Sequence, residues 1–140
     1  MIDWWKLVRV LKWSKLTIND VRIMGINELG KILTWIDASY VTHVNMRSHT
    51  GGAISMGHGT IMNKSLKQKL NSKSSTEAET IGMTDVLPSS LWLVYFMEAQ
   101  GYMIKENIVY QDNESAQRME KNGKASCLNK SRHIAIRYFL

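Results

Sequence analysis

Between residues 31 and 37 the side chains alternate. Leu33, Trp35 and Asp37 fall on one face and Ile32, Thr34 and Ile36 on the other, the period of two that marks a strand. Residues 51–56 and 60–63 are short apolar pieces on either side of Gly57-His58-Gly59 and predict an antiparallel hairpin. Those glycines match neither the G-x-x-x-x-G-K-[ST] nor the G-x-G-x-x-G spacing of a phosphate-cradling loop, so they predict a turn. From 81 to 97 the period changes. Met83, Leu87, Leu91, Val94 and Met97 step by three and four, as a buried helical stripe does. Pro88 lies inside this stripe and cannot donate to the Thr84 carbonyl, which predicts a kink or a break into two helices. Gly101 is the expected stop.

Residues 107–112 form the next predicted strand, with Ile108, Tyr110 and Asp112 on one face, and 113–121 a helix ended by Asn122-Gly123. Strand, helix, strand, helix implies a parallel pairing through a crossover. Residues 126–132 read as a polar loop, and 133–140 as an apolar periodic segment within which the chain stops. At the other end, residues 1–13 place Trp5, Val8, Leu11 and Lys12 at the spacing of a short basic amphipathic helix. Asn19-Asp20 and residues 25–30 read as loop or weak strand. The division expected is therefore 1–30 as the tail of a preceding domain and 31–140 as one domain with α/β architecture.

A length of 140 residues with 44% hydrophobic content fits one domain with a real core. No run approaches the ~18 apolar residues of a membrane span. The N-terminus carries Asp3 and no uninterrupted apolar segment, so a secretory signal is not expected. The single cysteine, Cys127, excludes an internal disulfide framework and a cysteine-based zinc cluster. These features together predict an intracellular protein, in which the Asn-x-Ser triplets at Asn63, Asn113 and Asn129 carry no glycan. The net charge is +6, with Lys64, Lys67, Lys69 and Lys73 gathered before the long helix. Such a stripe suits a polyanion such as nucleic acid, or is simply a solvated face.

That helix begins at Lys73-Ser74-Ser75-Thr76-Glu77-Ala78-Glu79. Ser74 with Glu77 and Thr76 with Glu79 both fit the S/T-x-x-E capping box. Only one pair can cap, which frees the other glutamate. Asp37 and Asp112 each close an apolar run, at strand ends where open α/β sheets place their ligands. Each acid has a plain structural reading too: Asp37 ends a strand, Asp112 precedes a helix, Glu79 caps one. Held together, three carboxylates would repel unless cations neutralised them. Hard oxygen donors without thiols or imidazoles favour Mg²⁺ or Mn²⁺, and two such ions suit phosphodiester hydrolysis.

In order along the chain, six stretches resemble the ribonuclease H domain of copia-type LTR retrotransposon reverse transcriptase polyproteins. They are Trp35-Ile36-Asp37-Ala38-Ser39, Ser48-His49-Thr50-Gly51-Gly52-Ala53-Ile54-Ser55, Lys67-Gln68-Lys69, Ser74-Ser75-Thr76-Glu77-Ala78-Glu79, Tyr110-Gln111-Asp112-Asn113-Glu114-Ser115-Ala116 and Arg132-His133-Ile134-Ala135-Ile136-Arg137-Tyr138-Phe139. Residues 3–13 look like the end of the reverse transcriptase connection that precedes this domain. The resemblance implies a ribonuclease H-like mixed sheet with flanking helices and removal of the RNA strand of RNA–DNA hybrids. It carries over Asp37, Glu79 and Asp112 as catalytic metal ligands for two Mg²⁺ or Mn²⁺ ions, with Glu77 left to complete the cap with Ser74. It implies that Lys64, Lys67, Lys69, Lys73, Asn113 and Ser115 contact nucleic acid, by backbone and A-form shape rather than sequence. The reverse transcriptase domain of the same polyprotein is the implied partner. The family's fourth acid lies in a Leu-Ala-Asp type helix start beyond a further strand, so the domain is expected to be C-terminally truncated. Ala135 stands where the family commonly has Asp or Asn. These departures favour a second reading, a remnant that binds nucleic acid without cutting it.

Overall fold

The computed structural model describes residues 2–122. In chain order the elements are α1 (Ile2–Leu16), β1 (Gly25–Ile26), β2 (Lys31–Ser39), β3 (His49–Ser55), β4 (Gly57–His58), β5 (Met62–Lys67), α2 (Ser75–Ala99), β6 (Glu106–Gln111) and α3 (Glu114–Asn122). The readings for 126–132 and 133–140, and that of Gly123 as a helix stop, lie outside the described residues.

Four strands pair in the order β5-β3-β2-β6. The first two pairings are antiparallel, and β2 with β6 is parallel, with Ile36 opposite Gln111. The architecture is thus mixed α/β, consistent with a ribonuclease H-like fold. The alternation read for β2 holds: Ile32, Thr34, Ile36 and Ala38 are buried beneath α2, while Trp35 and Asp37 face outward. The hairpin also forms, but its second strand is Met62–Lys67 rather than 60–63. Lys64 sits on the helix-facing side of that strand and hides the alternation of Met62 and Leu66. The glycine turn is itself used, since Gly57 and His58 pair with Gly25 and Ile26 in a second small sheet. Arg22 adds hydrogen bonds to the Thr60 carbonyl and hydroxyl. Residues 22–27 are therefore tied to the hairpin. By contrast, Trp4, Trp5, Leu7, Val10, Leu11 and Trp13 of α1 are exposed.

Helix α2 differs from expectation in two respects. Of the kink or break expected at Pro88 the break does not occur, since α2 is one continuous helix of 25 residues. Proline leaves the Thr84 carbonyl without its usual amide donor, and at the next residue the Lys64 ammonium donates to the Asp85 carbonyl at 2.6 Å. The buried stripe is also rotated. Met83, Val86, Ser90, Leu93 and Met97 lie inward, whereas Leu91 is exposed. Polar groups in the sheet account for this turn of the helix. The Thr34 hydroxyl donates to Ser90 Oγ at 3.0 Å, and Ser90 Oγ–H donates to Asn107 Oδ1 at 2.9 Å. Buried hydroxyls need such partners, so a serine occupies the centre of the helix–sheet contact. Gly52 of β3 lets Val86 sit directly on the sheet: a Cβ there would lie 2.6 Å from Val86 Cγ2.

Candidate metal centre

The N-terminus of α2 resolves the choice between the two capping boxes. Ser74 is the N-cap and its Oγ accepts from the Glu77 amide at 3.1 Å. Glu77 is buried, and its Oε2 accepts from the Lys73 amide at 2.7 Å, one residue ahead of the cap. Carboxylates at a helix start are also favoured by the helix dipole. The cap consumes Glu77, and two residues later Glu79 projects toward the sheet. Gln68, in the Lys67-Gln68-Lys69 stretch, pins this first turn to β3: its Nε2 donates to Thr50 Oγ1 at 3.0 Å and to the Ala78 carbonyl at 2.8 Å.

Glu79 reaches the ends of two parallel strands. Its Oε1 accepts from the Ala38 amide on β2 at 3.2 Å, and its Oε2 accepts from Gln111 Nε2 on β6 at 3.0 Å. Because Ile36 pairs with Gln111, the following residues, Asp37 and Asp112, emerge side by side. Asp37, Glu79 and Asp112 each offer an oxygen, all within 4.8 Å of one another. The two aspartates are exposed and the glutamate is buried. Burial pushes the Glu79 carboxyl above its ordinary value; the hydrogen bonds from Gln111 and Ala38 oppose this, and the charges of Asp112 and Asp37 add to it. Three acids from three elements thus share one small volume, in which a divalent cation would relieve their repulsion.

Asn113 and Ser115 begin the helix beside Asp112. Asn113 Oδ1 accepts from the Ala116 amide at 3.0 Å and caps α3, while Ser115 is exposed. The four lysines do not form one stripe. Lys67, Lys69 and Lys73 are exposed, but Lys64 faces α2 and is engaged at Asp85. Gln111 escaped the sequence reading. The signal available was its place on the buried side of the strand directly before Asp112, where an amide with no apolar role needs a polar partner.

Among the described residues, no helix is long and apolar enough to cross a membrane. No protein-family model matches the chain. Over 137 residues, 96% of its length, the chain is 31% identical to the Retrovirus-related Pol polyprotein from transposon TNT 1-94 of Nicotiana tabacum. It spans about 10% of that relative's length. The similarity supports an origin in a retrotransposon Pol polyprotein.

Proposed function

We propose that this chain is a ribonuclease H-like domain of a retrotransposon polyprotein that hydrolyses the RNA strand of RNA–DNA hybrids with two divalent cations. The observation that carries the proposal is the convergence of Asp37, Glu79 and Asp112 within 4.8 Å. The donor set fits Mg²⁺ or Mn²⁺: three hard carboxylate oxygens, with neither thiol nor imidazole among them. When bound, such ions would activate the attacking water and stabilise the leaving oxygen of a phosphodiester. The protein's own contribution is orientation. Ala38 and Gln111 fix both oxygens of Glu79, and the parallel register of β2 and β6 fixes the spacing of the two aspartates.

The hybrid would lie over the exposed aspartates and be held by its phosphates. Lys67, Lys69 and Lys73, with Asn113 and Ser115 at the start of α3, are the proposed contacts, whereas Lys64 stays engaged at the Asp85 carbonyl. The reverse transcriptase domain of the same polyprotein is the proposed partner. The test is cleavage of an end-labelled RNA–DNA hybrid in Mg²⁺ or Mn²⁺. Cutting of only the RNA strand, abolished in Asp112→Asn and Glu79→Gln, is expected. Salt-sensitive binding without any cutting would overturn hydrolysis and leave a domain that only binds nucleic acid.

A further inference from the structure

The connection between β2 and β3 is strained. Val41 and Met46 have φ of 51° and 58°, and a β-branched residue in the left-handed region is a genuine outlier. The turn is nevertheless firmly held. Ser48 Oγ accepts from the Val41 amide at 3.1 Å and lies 2.6 Å from Ser72 Oγ. The His43 amide donates to the Arg47 carbonyl at 3.1 Å, and the Met46 amide donates to the His43 carbonyl at 2.8 Å. Strain of this kind persists where the surroundings over-determine it, and it clusters at functional sites.

The turn delivers His43 to the sheet. His43 Nε2 lies 3.0 Å from His49 Nδ1, and His49 Nε2 lies 2.9 Å from Ser65 Oγ. Register locates this chain of groups. Ser39, His49 and Lys67 form one cross-strand row, and Asp37, Gly51 and Ser65 the next. Both rows lie on the sheet face opposite α2, because the alternate residue Thr50 is buried on the helix side. Strands are spaced about 4.8 Å apart, so Ser65 lies roughly 10 Å from Asp37 across the sheet. Between them Gly51 offers no side chain, and a Cβ added there would meet only the Asp37 carbonyl, at 3.6 Å.

We infer that Ser65 and Lys67, with the His49–His43 pair behind Ser65, form a phosphate-contact patch for the nucleic-acid strand that crosses Asp37. The inference rests on the nuclease reading above. A neutral imidazole has one donor and one acceptor. With His43 Nε2–H donating to His49 Nδ1, and His49 Nε2–H donating to Ser65 Oγ, the Ser65 hydroxyl is free to donate outward. The opposite polarity would consume that hydroxyl. An anion at Ser65 selects the first arrangement, and the Lys67 ammonium, two residues along the same exposed strand face, supplies the charge.

The test is fluorescence anisotropy of a short labelled RNA–DNA hybrid with the whole chain in EDTA, between about 50 and 200 mM salt. Ser65→Ala is expected to bind about tenfold more weakly, as for loss of one hydrogen bond to a charged group, with the salt dependence unchanged. Lys67→Ala is expected to reduce the slope of log K against log salt by about one. His49→Gln, which keeps a donor in place of the ring, is expected to fall between Ser65→Ala and the unaltered protein. Circular dichroism melting of each variant confirms an intact fold. Unchanged affinity in both Ser65→Ala and His49→Gln overturns the patch while leaving hybrid cleavage by the parent chain standing. A parent chain that neither binds nor cuts the hybrid overturns both.

Discussion

Gln111 Nε2 donates to Glu79 Oε2 at 3.0 Å, and Gln111 Oε1 accepts from the Asn113 amide at 3.2 Å. One buried amide thus joins the glutamate of α2 to the first residues of α3, on either side of Asp112. Groups that orient a metal ligand typically change affinity by about 10–100-fold when removed. Gln111→Met keeps length and bulk but removes both hydrogen bonds. It is expected to weaken Mn²⁺ binding by about tenfold or more, read by electron paramagnetic resonance of free Mn²⁺. A variant that binds Mn²⁺ as the parent does would show that Glu79 is held by the Ala38 amide alone.

Gly52 is the point at which α2 rests on the sheet. A Cβ at this position would lie 2.6 Å from Val86 Cγ2 and 3.0 Å from Cγ1. Valine in a helix is confined largely to one χ1 rotamer, so it cannot swing away. Gly52→Ala is therefore expected to destabilise the protein by about 1–3 kcal/mol, even though alanine ordinarily suits a strand better than glycine. Urea unfolding measures this, and the double variant Gly52→Ala with Val86→Ala should recover part of the loss.

These two contacts show where the sequence was informative and where it was not. The period of two in residues 31–37 predicted the two faces of β2, though not which of them is buried, and Ser74–Glu77 was legible as one of two candidate caps because its chemistry is local. Asp37, Glu79 and Asp112 were legible as candidates, and parallel pairing brings them together. The rotation of α2 was hidden, since it depends on Ser90 meeting Thr34 and Asn107 from distant strands. Pro88 signalled a kink or a break, but α2 runs on through it, anchored in the core by Val86 before the proline and Leu93 after it. The His43–His49–Ser65 chain was equally hidden, because two of its members sit in a loop and a strand with no periodic signal.

His43 should titrate below the ordinary histidine value. Desolvation is the first cause, followed by the charge of Lys67 and the neighbouring His49. A base whose folded pKa is depressed is protonated first in the unfolded chain. Its contribution to stability is thus present above pH ~6.5 and is lost as pH falls through the folded value. Proton NMR of the imidazole resonances should give a midpoint for His43 below ~6.5. Lys67→Ala should move that midpoint upward without carrying it past the ordinary histidine value, because desolvation remains.

Lys64 and Lys67 lie on the same strand but face opposite ways, and this difference predicts different phenotypes. The Lys64 ammonium is engaged at the Asp85 carbonyl beside the proline of α2, whereas Lys67 is exposed on the outer face. Lys64→Met retains the apolar stem and removes the donor. It is expected to lower stability by about 1 kcal/mol, the net worth of one partly buried hydrogen bond, and to leave the salt dependence of hybrid binding unchanged. Lys67→Met should do the reverse, with little loss of stability and a shallower salt dependence. Urea unfolding and anisotropy titration on the same two proteins separate the roles. A shallower salt dependence in Lys64→Met would mean that this lysine leaves Asp85 to reach a phosphate when nucleic acid is bound.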